Sequence, residues 1–243
     1  MNKLLIVFIL LLLSFYSCKK GKDSEKDPCS VLINGTYQFP TIPAHDTMSS
    51  GEIVEYINLP KDICSCISTD GLVETCCNYP DIELYLVAGP VGYPSGYQLL
   101  AQHFRGIVEL ESRKDEVESL LNKYKSIDTS QIYGWKTFFL ELTIGRDSTI
   151  SHSINEQRKA LVGYLMANYL IKQKLNKYFG VYMTEGTIYA MARIMYGAKF
   201  KPLIDDYAVN DKIQALIEND YYFNDNQVVN TIDSLANIYL LIK

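Results

Sequence analysis

The chain has few of the residues from which enzyme sites are usually recognised. Its 243 residues include three histidines and one tryptophan. They contain no H-E-x-x-H segment, phosphate-binding loop, dinucleotide-binding glycine motif or EF-hand loop. Basic residues are in the minority, with 23 lysines and arginines against 28 aspartates and glutamates, and they form no stripe. The sequence therefore predicts no cofactor and no metal, and it argues against a nucleic-acid partner.

Long apolar runs are missing as well. The longest extends from Leu4 to Leu13, which is ten residues, whereas a helix that spans a membrane needs about 20. Lys3 precedes this run, and Ser17 and Cys18 follow shortly after it. The order of a positive charge, an apolar run and a small residue is typical of a secretory signal peptide.

The end of this segment resembles a bacterial lipoprotein signal, in which the chain is cut before a cysteine whose thiol is lipidated. Phe15 stands where such signals usually have leucine. We expect residues 1–17 to be the signal peptide and Cys18 the lipidated first residue, with plain secretion and an uncleaved anchor as alternatives. Lys19 replaces the acidic residue that, by resemblance to enterobacterial sorting, favours the inner membrane. Attachment to the outer membrane is therefore expected.

A polar segment follows the cysteine. Residues 19–28 alternate in charge and contain no large apolar side chain. Because such a composition cannot bury a core, residues 18–30 are predicted to form a flexible tether and residues 31–243 a single globular domain. The lysines of the tether either contact anionic lipid headgroups or belong to a plain spacer.

The cysteines are confined to the first third of the chain. Apart from Cys18 they are Cys29, Cys64, Cys66, Cys76 and Cys77. Five is an odd number, so they cannot form a complete disulfide framework. Cys64 and Cys66 lie two positions apart. On a helix their side chains would point about 200° away from each other around the axis, which does not suit a zinc site. Buried, unreactive thiols are the preferred interpretation, and one disulfide or a metal site are the alternatives.

From Ser49 onward the sequence predicts helix almost throughout. Four capping boxes indicate helix starts, each a serine followed three residues later by an acid or an amide. They are Ser49 with Glu52, Ser95 with Gln98, Ser112 with Asp115, and Ser153 with Glu156. Glycines after apolar runs indicate helix ends, at Gly145, Gly180 and Gly197.

These signals divide the chain into about ten helices. They are predicted at residues 50–57, 61–67, 69–79, 95–111, 113–125, 131–144, 153–178, 185–196, 208–219 and 225–242. In the longest of them, Leu161, Leu165 and Tyr169 belong to one apolar stripe and Lys172 to its polar surroundings. The expected fold class is all-α, as an irregular bundle or a short α-α superhelix after the tether.

Two groups of aromatic residues fall in predicted loops. They are Tyr93 with Tyr97, and Tyr221, Tyr222 with Phe223. Loop aromatics can form a platform for a sugar or a protein partner, so these five are weak candidates for ligand binding. The alternative is that they close over the end of a helix bundle.

The ionisable residues suggest structural rather than catalytic positions. Acids cluster in residues 109–118 together with two basic residues, which is typical of a solvated helical face. No pair of carboxylates stands out as a glycosidase site. We therefore expect single alanine substitutions at Glu109, Glu141 and His103 to change no turnover, and to change stability by about 0.5 kcal/mol or less where the side chain is exposed.

Several short segments resemble a family of lipoproteins from Bacteroides-type bacteria. The matching segments are Leu59-Pro60, Ser68 to Thr75, Asn78-Tyr79-Pro80, Phe104 to Leu110 and Arg113-Lys114-Asp115. Together with the residues between them they cover about 60 of the 243 residues. The resemblance implies a helical fold outside the cytoplasm. That family has no assigned activity, so no functional residue is carried over.

Three classes of function follow from these observations. The preferred one is a non-catalytic lipoprotein of the cell envelope that binds a partner or acts as a scaffold. A lipoprotein that binds a glycan or another small ligand is the first alternative, because of the loop tyrosines. A hydrolase that uses carboxylates is the second alternative. The expected partners are the membrane, through the lipid at Cys18, and a protein or a glycan.

Overall fold

The computed structural model describes residues 27–42, 48–80, 82–88, 93–132, 134–175, 180–218 and 225–242. These ranges are mostly α-helical, and their one strand-like contact is an isolated antiparallel bridge between Ile33 and Thr36. The predicted all-α class is confirmed. The predicted signal peptide, Cys18 and most of the predicted tether lie outside the described residues. No described helix is long and apolar enough to cross a membrane.

The helices are numbered here in chain order. They are α1 (Ser50–Tyr56), α2 (Lys61–Cys66), α3 (Thr69–Cys77), α4 (Ile82–Ala88), α5 (Tyr93–His103), α6 (Arg105–Glu111), α7 (Glu116–Lys125), α8 (Trp135–Ile144), α9 (Asp147–His152), α10 (Asn155–Leu175), α11 (Gly180–Gly197), α12 (Lys201–Tyr207), α13 (Asp211–Glu218) and α14 (Asn226–Leu241). Two short 3₁₀ helices cover Pro28–Val31 and Thr129–Gln131.

The first predicted helix start is confirmed in detail. The Oγ of Ser49 accepts a hydrogen bond from the backbone N–H of Glu52 (3.4 Å), and the Glu52 carboxylate accepts one from the backbone N–H of Ser49 (2.8 Å). These reciprocal bonds satisfy two backbone donors that an isolated helix would leave unpaired. The carboxylate of Asp225 caps α14 in a similar way, by accepting from the second and third residues of that helix.

Three other predicted starts are wrong. Ser112 and Ser153 end helices rather than begin them, since each hydroxyl donates to a carbonyl of the preceding turn (2.7 and 2.8 Å). Ser95 lies inside the first turn of α5, because that helix begins at Tyr93. Gly180 begins α11 instead of stopping the helix before it, whereas Gly197 ends α11 as predicted.

One predicted helix is divided in two. Residues 95–111 form α5 and α6, which are separated by Phe104 in an extended conformation. The buried side chain of Asn58 bridges the break: its amide donates to the carbonyl of His103 (2.7 Å) and its oxygen accepts from the N–H of Arg105 (2.9 Å). These two bonds replace those lost from the helix ladder. Because Asn58 is distant in sequence, local patterns could not predict the break.

Helix α8 lies at the centre of the fold. Its last eight residues, from Thr137 to Ile144, are all buried, so it is covered on every side. It packs against α3, α4 and α5 from the amino-terminal half and against α7, α9 and α11. The short helices α4 and α9, which the sequence did not predict, belong to this cover. The unpredicted α12 packs between α11 and α14.

A disulfide attaches the start of the described chain to the domain. Cys29 is bonded to Cys66 at the end of α2. The expectation that these two cysteines are free thiols is therefore wrong, and the alternative of one disulfide is the observed one. The backbone N–H of Tyr37 also donates to Thr75 of α3 (3.1 Å). The described residues thus begin at Asp27, inside the segment that was predicted to be tether.

Candidate functional site

The predicted solvated acidic face contains a buried acid. Glu116, the first residue of α7, has no exposed surface, which contradicts the prediction for residues 109–118. Its Oε1 lies 3.2 Å from the Nδ1 of His152 at the end of α9, and the His152 side chain is 31% exposed. An acid and a histidine from two helices therefore meet at a place that solvent reaches from the histidine side.

The second oxygen of Glu116 is poorly paired. Its Oε2 has no hydrogen-bond partner, and the nearby Oγ of Ser148 is also buried without one. Burial raises the pKa of Glu116 to about 8, and the charge of Glu111 adds to this. The neighbouring hydroxyls of Ser148 and Thr149 lower it less strongly, although the Ser148 hydroxyl lies outside hydrogen-bond geometry. Glu116 is thus mainly protonated at neutral pH.

A second polar group lies next to this pair and uses a predicted ligand-binding residue. Tyr97 of α5 is fully buried and stacks on Phe139 with ring centroids 5.5 Å apart. Its hydroxyl lies 3.5 Å from Glu111, and the guanidinium of Arg146 lies over its ring at 5.4 Å. Burial raises the pKa of both Tyr97 and Glu111. Tyr97 is a core residue, so the expectation of a loop platform is wrong for it.

The other predicted ligand-binding residues are not brought together by the described structure. Tyr93 is the first residue of α5 and so lies in a helix rather than a loop. Tyr221, Tyr222 and Phe223 lie outside the described residues, as does the predicted lipidation site Cys18. Their roles stay predictions.

The most completely buried ionic group of the described residues lies near the carboxyl end of α7. Lys172 of α10 and Glu141 of α8 are both without exposed surface, and the Lys172 Nζ lies 2.6 and 2.8 Å from the two carboxylate oxygens. Tyr124 of α7 donates to Glu141 (2.7 Å). Thr187 of α11 lies 2.9 Å from both Lys172 and Glu141. Four helices therefore meet at this cluster, which we name the buried ionic cluster.

Burial opposes the charges of the cluster, and the pairing offsets part of this cost. Desolvation raises the pKa of Glu141 and lowers that of Lys172, while their mutual attraction acts in the opposite direction on each. The hydroxyls of Tyr124 and Thr187 stabilise the Glu141 carboxylate further. A buried ion pair with this many hydrogen bonds fixes the relative positions of the helices that supply it.

The sequence does contain a signal for the cluster. Lys172 continues the spacing of Leu165 and Tyr169 on the apolar stripe of α10, which places it on the inner face. Glu141 lies in the run from Phe138 to Ile144 of α8, whose only other polar residue is Thr143. A charged residue in such a helix must be buried and paired, so the prediction that Lys172 is a polar surface residue is wrong.

The three described cysteines outside the disulfide are unreactive core residues. Cys64, Cys76 and Cys77 are free and buried. Burial raises the pKa of all three thiols, that of Cys77 to about 12. Since the thiolate is the reactive form, these side chains act as small apolar groups, as predicted. Among the described residues, no group of His, Cys, Asp and Glu is arranged to hold a metal ion.

Two concave surfaces of the described structure lie elsewhere. One open groove of about 600 Å³ lies between α12 and α14. It is lined by Asp206, Gln227, Asn230, Thr231, Ser234 and Leu235. A second groove of about 610 Å³ lies on the other side of α12 and is lined by residues from 196 to 205. Neither includes the Glu116–His152 pair or the buried ionic cluster. The buried acids whose pKa values are raised therefore do not line either of these two grooves.

Comparison with protein-family models, with characterised proteins and with solved structures gave no significant match. The functional argument therefore rests on this chain's own residues.

Proposed function

We propose that the protein is a lipid-anchored domain of the cell envelope that binds a partner and catalyses no reaction. The observation that carries the proposal is the disulfide between Cys29 and Cys66. Disulfides form and persist in oxidising compartments outside the cytoplasm, and they are rare inside it. The bond therefore supports the export that the lipoprotein-like signal predicts.

The position of the bond also suits an anchored domain. Cys29 lies eleven residues after Cys18, directly beyond the polar segment. A covalent bond at this point attaches the domain directly to its own tether. Two or more acyl chains on Cys18 would hold the protein stably, since each buried methylene contributes about 0.8 kcal/mol.

The placement of the ionisable groups supports a binding role over catalysis. General acid–base catalysis requires a group with a shifted pKa in a cleft that a substrate can enter. Glu141 is held by Lys172, and Glu111 by Tyr97 and Arg146. The expected partner is a protein or a glycan in the envelope. The net charge of −5 does not favour nucleic acid.

The anchor is tested with a Cys18→Ala variant expressed in a bacterium with a lipoprotein export pathway. The expected result is a protein that is either uncleaved or released from the membrane pellet, as seen by detergent-phase partitioning and intact-mass analysis. Cys64→Ala, which removes a buried thiol far from the signal, is the matched control and should pellet normally. A Cys18→Ala protein that pellets fully with a normal mature amino terminus would contradict the anchor.

The compartment is tested by counting thiols. When protein from intact cells is denatured and alkylated without a reductant, three thiols should react, those of Cys64, Cys76 and Cys77. Prior reduction should add the two cysteines of the disulfide. Reaction of Cys29 and Cys66 without reduction would remove the main support for export.

A glycan or another small polar ligand is the second candidate, because one groove offers suitable side chains. Gln227, Asn230 and Ser234 lie along one exposed face of α14, next to Asp206, and they line the groove of about 600 Å³. Amides, hydroxyls and a carboxylate can bind the hydroxyl groups of a sugar. A glycan screen with the wild type and Asn230→Ala tests this candidate. Binding that the substitution does not weaken would exclude this groove.

A further inference from the structure

We infer that Val31 and Ile33 form a membrane-facing contact that holds the anchored domain against the lipid surface. This inference rests on the proposed lipid anchor and adds the surface by which the domain meets the bilayer. The two side chains are named here the amino-terminal apolar pair.

The pair is exposed in a segment whose other apolar side chains face inward. Val31 is 57% exposed and Ile33 is 58% exposed. Leu32, which lies between them in an extended conformation, packs against the core. Val31 ends the first 3₁₀ helix and Ile33 follows the extended Leu32, so the two exposed apolar side chains flank the one that packs inward.

The segment is held rigidly in this orientation. The disulfide at Cys29 fixes one end, and the bond from Tyr37 to Thr75 fixes the other. The turn between them uses Asn34 and Gly35, both with positive φ. Gly35 lies so close to α3 that a Cβ on Gly71 would come within 2.1 Å of its carbonyl oxygen. A fixed segment loses little conformational entropy when it meets a surface.

The length of the preceding chain selects lipid as the partner. Eight residues separate Cys18 from Asp27, where the described structure begins, and this stretch reaches about 30 Å at most when fully extended. A domain of this size is about 45 Å across. The end of the domain that carries Val31 and Ile33 is therefore kept within about 30 Å of the bilayer, which is less than the width of the domain. Linkage through a short tether makes the effective concentration of lipid high enough for a weak apolar contact to form.

The test uses the full-length lipidated protein in vesicles of phosphatidylethanolamine and phosphatidylglycerol. An environment-sensitive fluorophore is placed on Gln38→Cys, next to the apolar pair, or on Val209→Cys as the control. Val209 is 83% exposed and lies between α12 and α13, whose main contacts are with α11 and α14. The buried thiols should not react with the label under native conditions. Quenching by a nitroxide-bearing lipid then reports the distance from the bilayer.

The expected result is at least threefold stronger quenching at position 38 than at position 209. In a V31S/I33S background the value at position 38 should fall to that of the control. Circular dichroism checks that this exposed double substitution leaves the fold intact. Equal quenching at both positions, in protein that floats with the vesicles, would overturn the inference and leave the anchor standing. Protein that does not float would overturn the anchor and the inference together. A spectral shift at position 38 without quenching would show a protein partner or a second copy on this face and would also overturn it.

Discussion

Helix α7 contacts a buried glutamate at each of its ends, and the two ends differ in how completely the acid is paired. At the carboxyl end, Tyr124 donates to Glu141, whose charge is matched by Lys172 and whose oxygens are all hydrogen-bonded. At the amino end, Glu116 has one oxygen near His152 and the other without a partner.

The difference shows two ways in which a fold accommodates a buried acid. Full pairing favours the charged carboxylate, because the ion pair and its hydrogen bonds offset part of the cost of desolvation. Partial pairing leaves desolvation dominant, and the group then retains its proton. Glu141 therefore acts as a charged connector of four helices, whereas Glu116 acts as a neutral group at the junction of α7 and α9.

The largest expected effect comes from breaking the fully paired end. Lys172→Ala leaves Glu141 buried without its counter-charge, and we expect it to lower the free energy of unfolding by about 3–5 kcal/mol. Lys174→Ala, on the exposed side of the same helix, should change it by about 0.5 kcal/mol or less. Urea titration measures both. The double variant E141L/K172M removes both charges and should recover more than half of the loss. A Lys172→Ala protein as stable as the wild type would contradict the assignment.

A smaller loss of stability is expected when the close approach of α11 to α8, which brings the residues of the cluster together, is blocked. A Cβ on Gly186 of α11 would lie 2.6 Å from the ring of Phe138 and 3.0 Å from the Glu141 carboxylate. Gly186→Ala should therefore cost about 1–3 kcal/mol through overpacking. Gly163→Ala is the matched control, since its Cβ would meet only Leu240, at 3.8 Å. The control should be neutral or stabilising by up to about 1 kcal/mol, as expected for this exchange in a helix. Equal effects of the two substitutions would show that the helices separate easily.

An effect that builds up only over several pH units is expected at the partly paired end. The folded pKa of Glu116, about 8, lies above the value of about 4.3 for an unfolded glutamate. The folded state therefore binds more protons between these values, and stability falls as pH rises from about 4.3 to 8, by at most about 1.4 kcal/mol per pH unit for one group. Glu116→Gln should remove this part of the slope. Urea midpoints of both proteins at pH 5 to 8 measure it. Parallel curves would show that Glu116 is already ionised.

The part of the fold that depends on local contacts could be predicted from the sequence. The capping box of Ser49 and Glu52 involves residues three positions apart, and it forms as expected. The break at Phe104 depends on Asn58, more than 40 residues away, and the pairing of Cys29 with Cys66 spans 37 residues. Contacts of this kind exist only once the tertiary structure has formed, so patterns within one helix do not contain them.

The candidate site shows the same limit. The acidic segment around Glu116 has the composition of a solvated face, and only the packing of α9 against α7 buries its first helical residue. Lys172 was predictable in principle from its position on the apolar stripe of α10. Its partner was not, because nothing in the sequence links α10 to the centre of α8.

The central claim is that the buried acids of this domain serve its structure and not a reaction. It is tested most directly by assaying the purified, membrane-anchored protein against glycan, peptide and ester substrates, together with Glu116→Gln and Glu141→Gln. The account predicts no saturable turnover by any of the three proteins. A saturable activity in the wild type that Glu116→Gln abolishes, while circular dichroism and the urea midpoint at pH 6 show an intact fold, would contradict it.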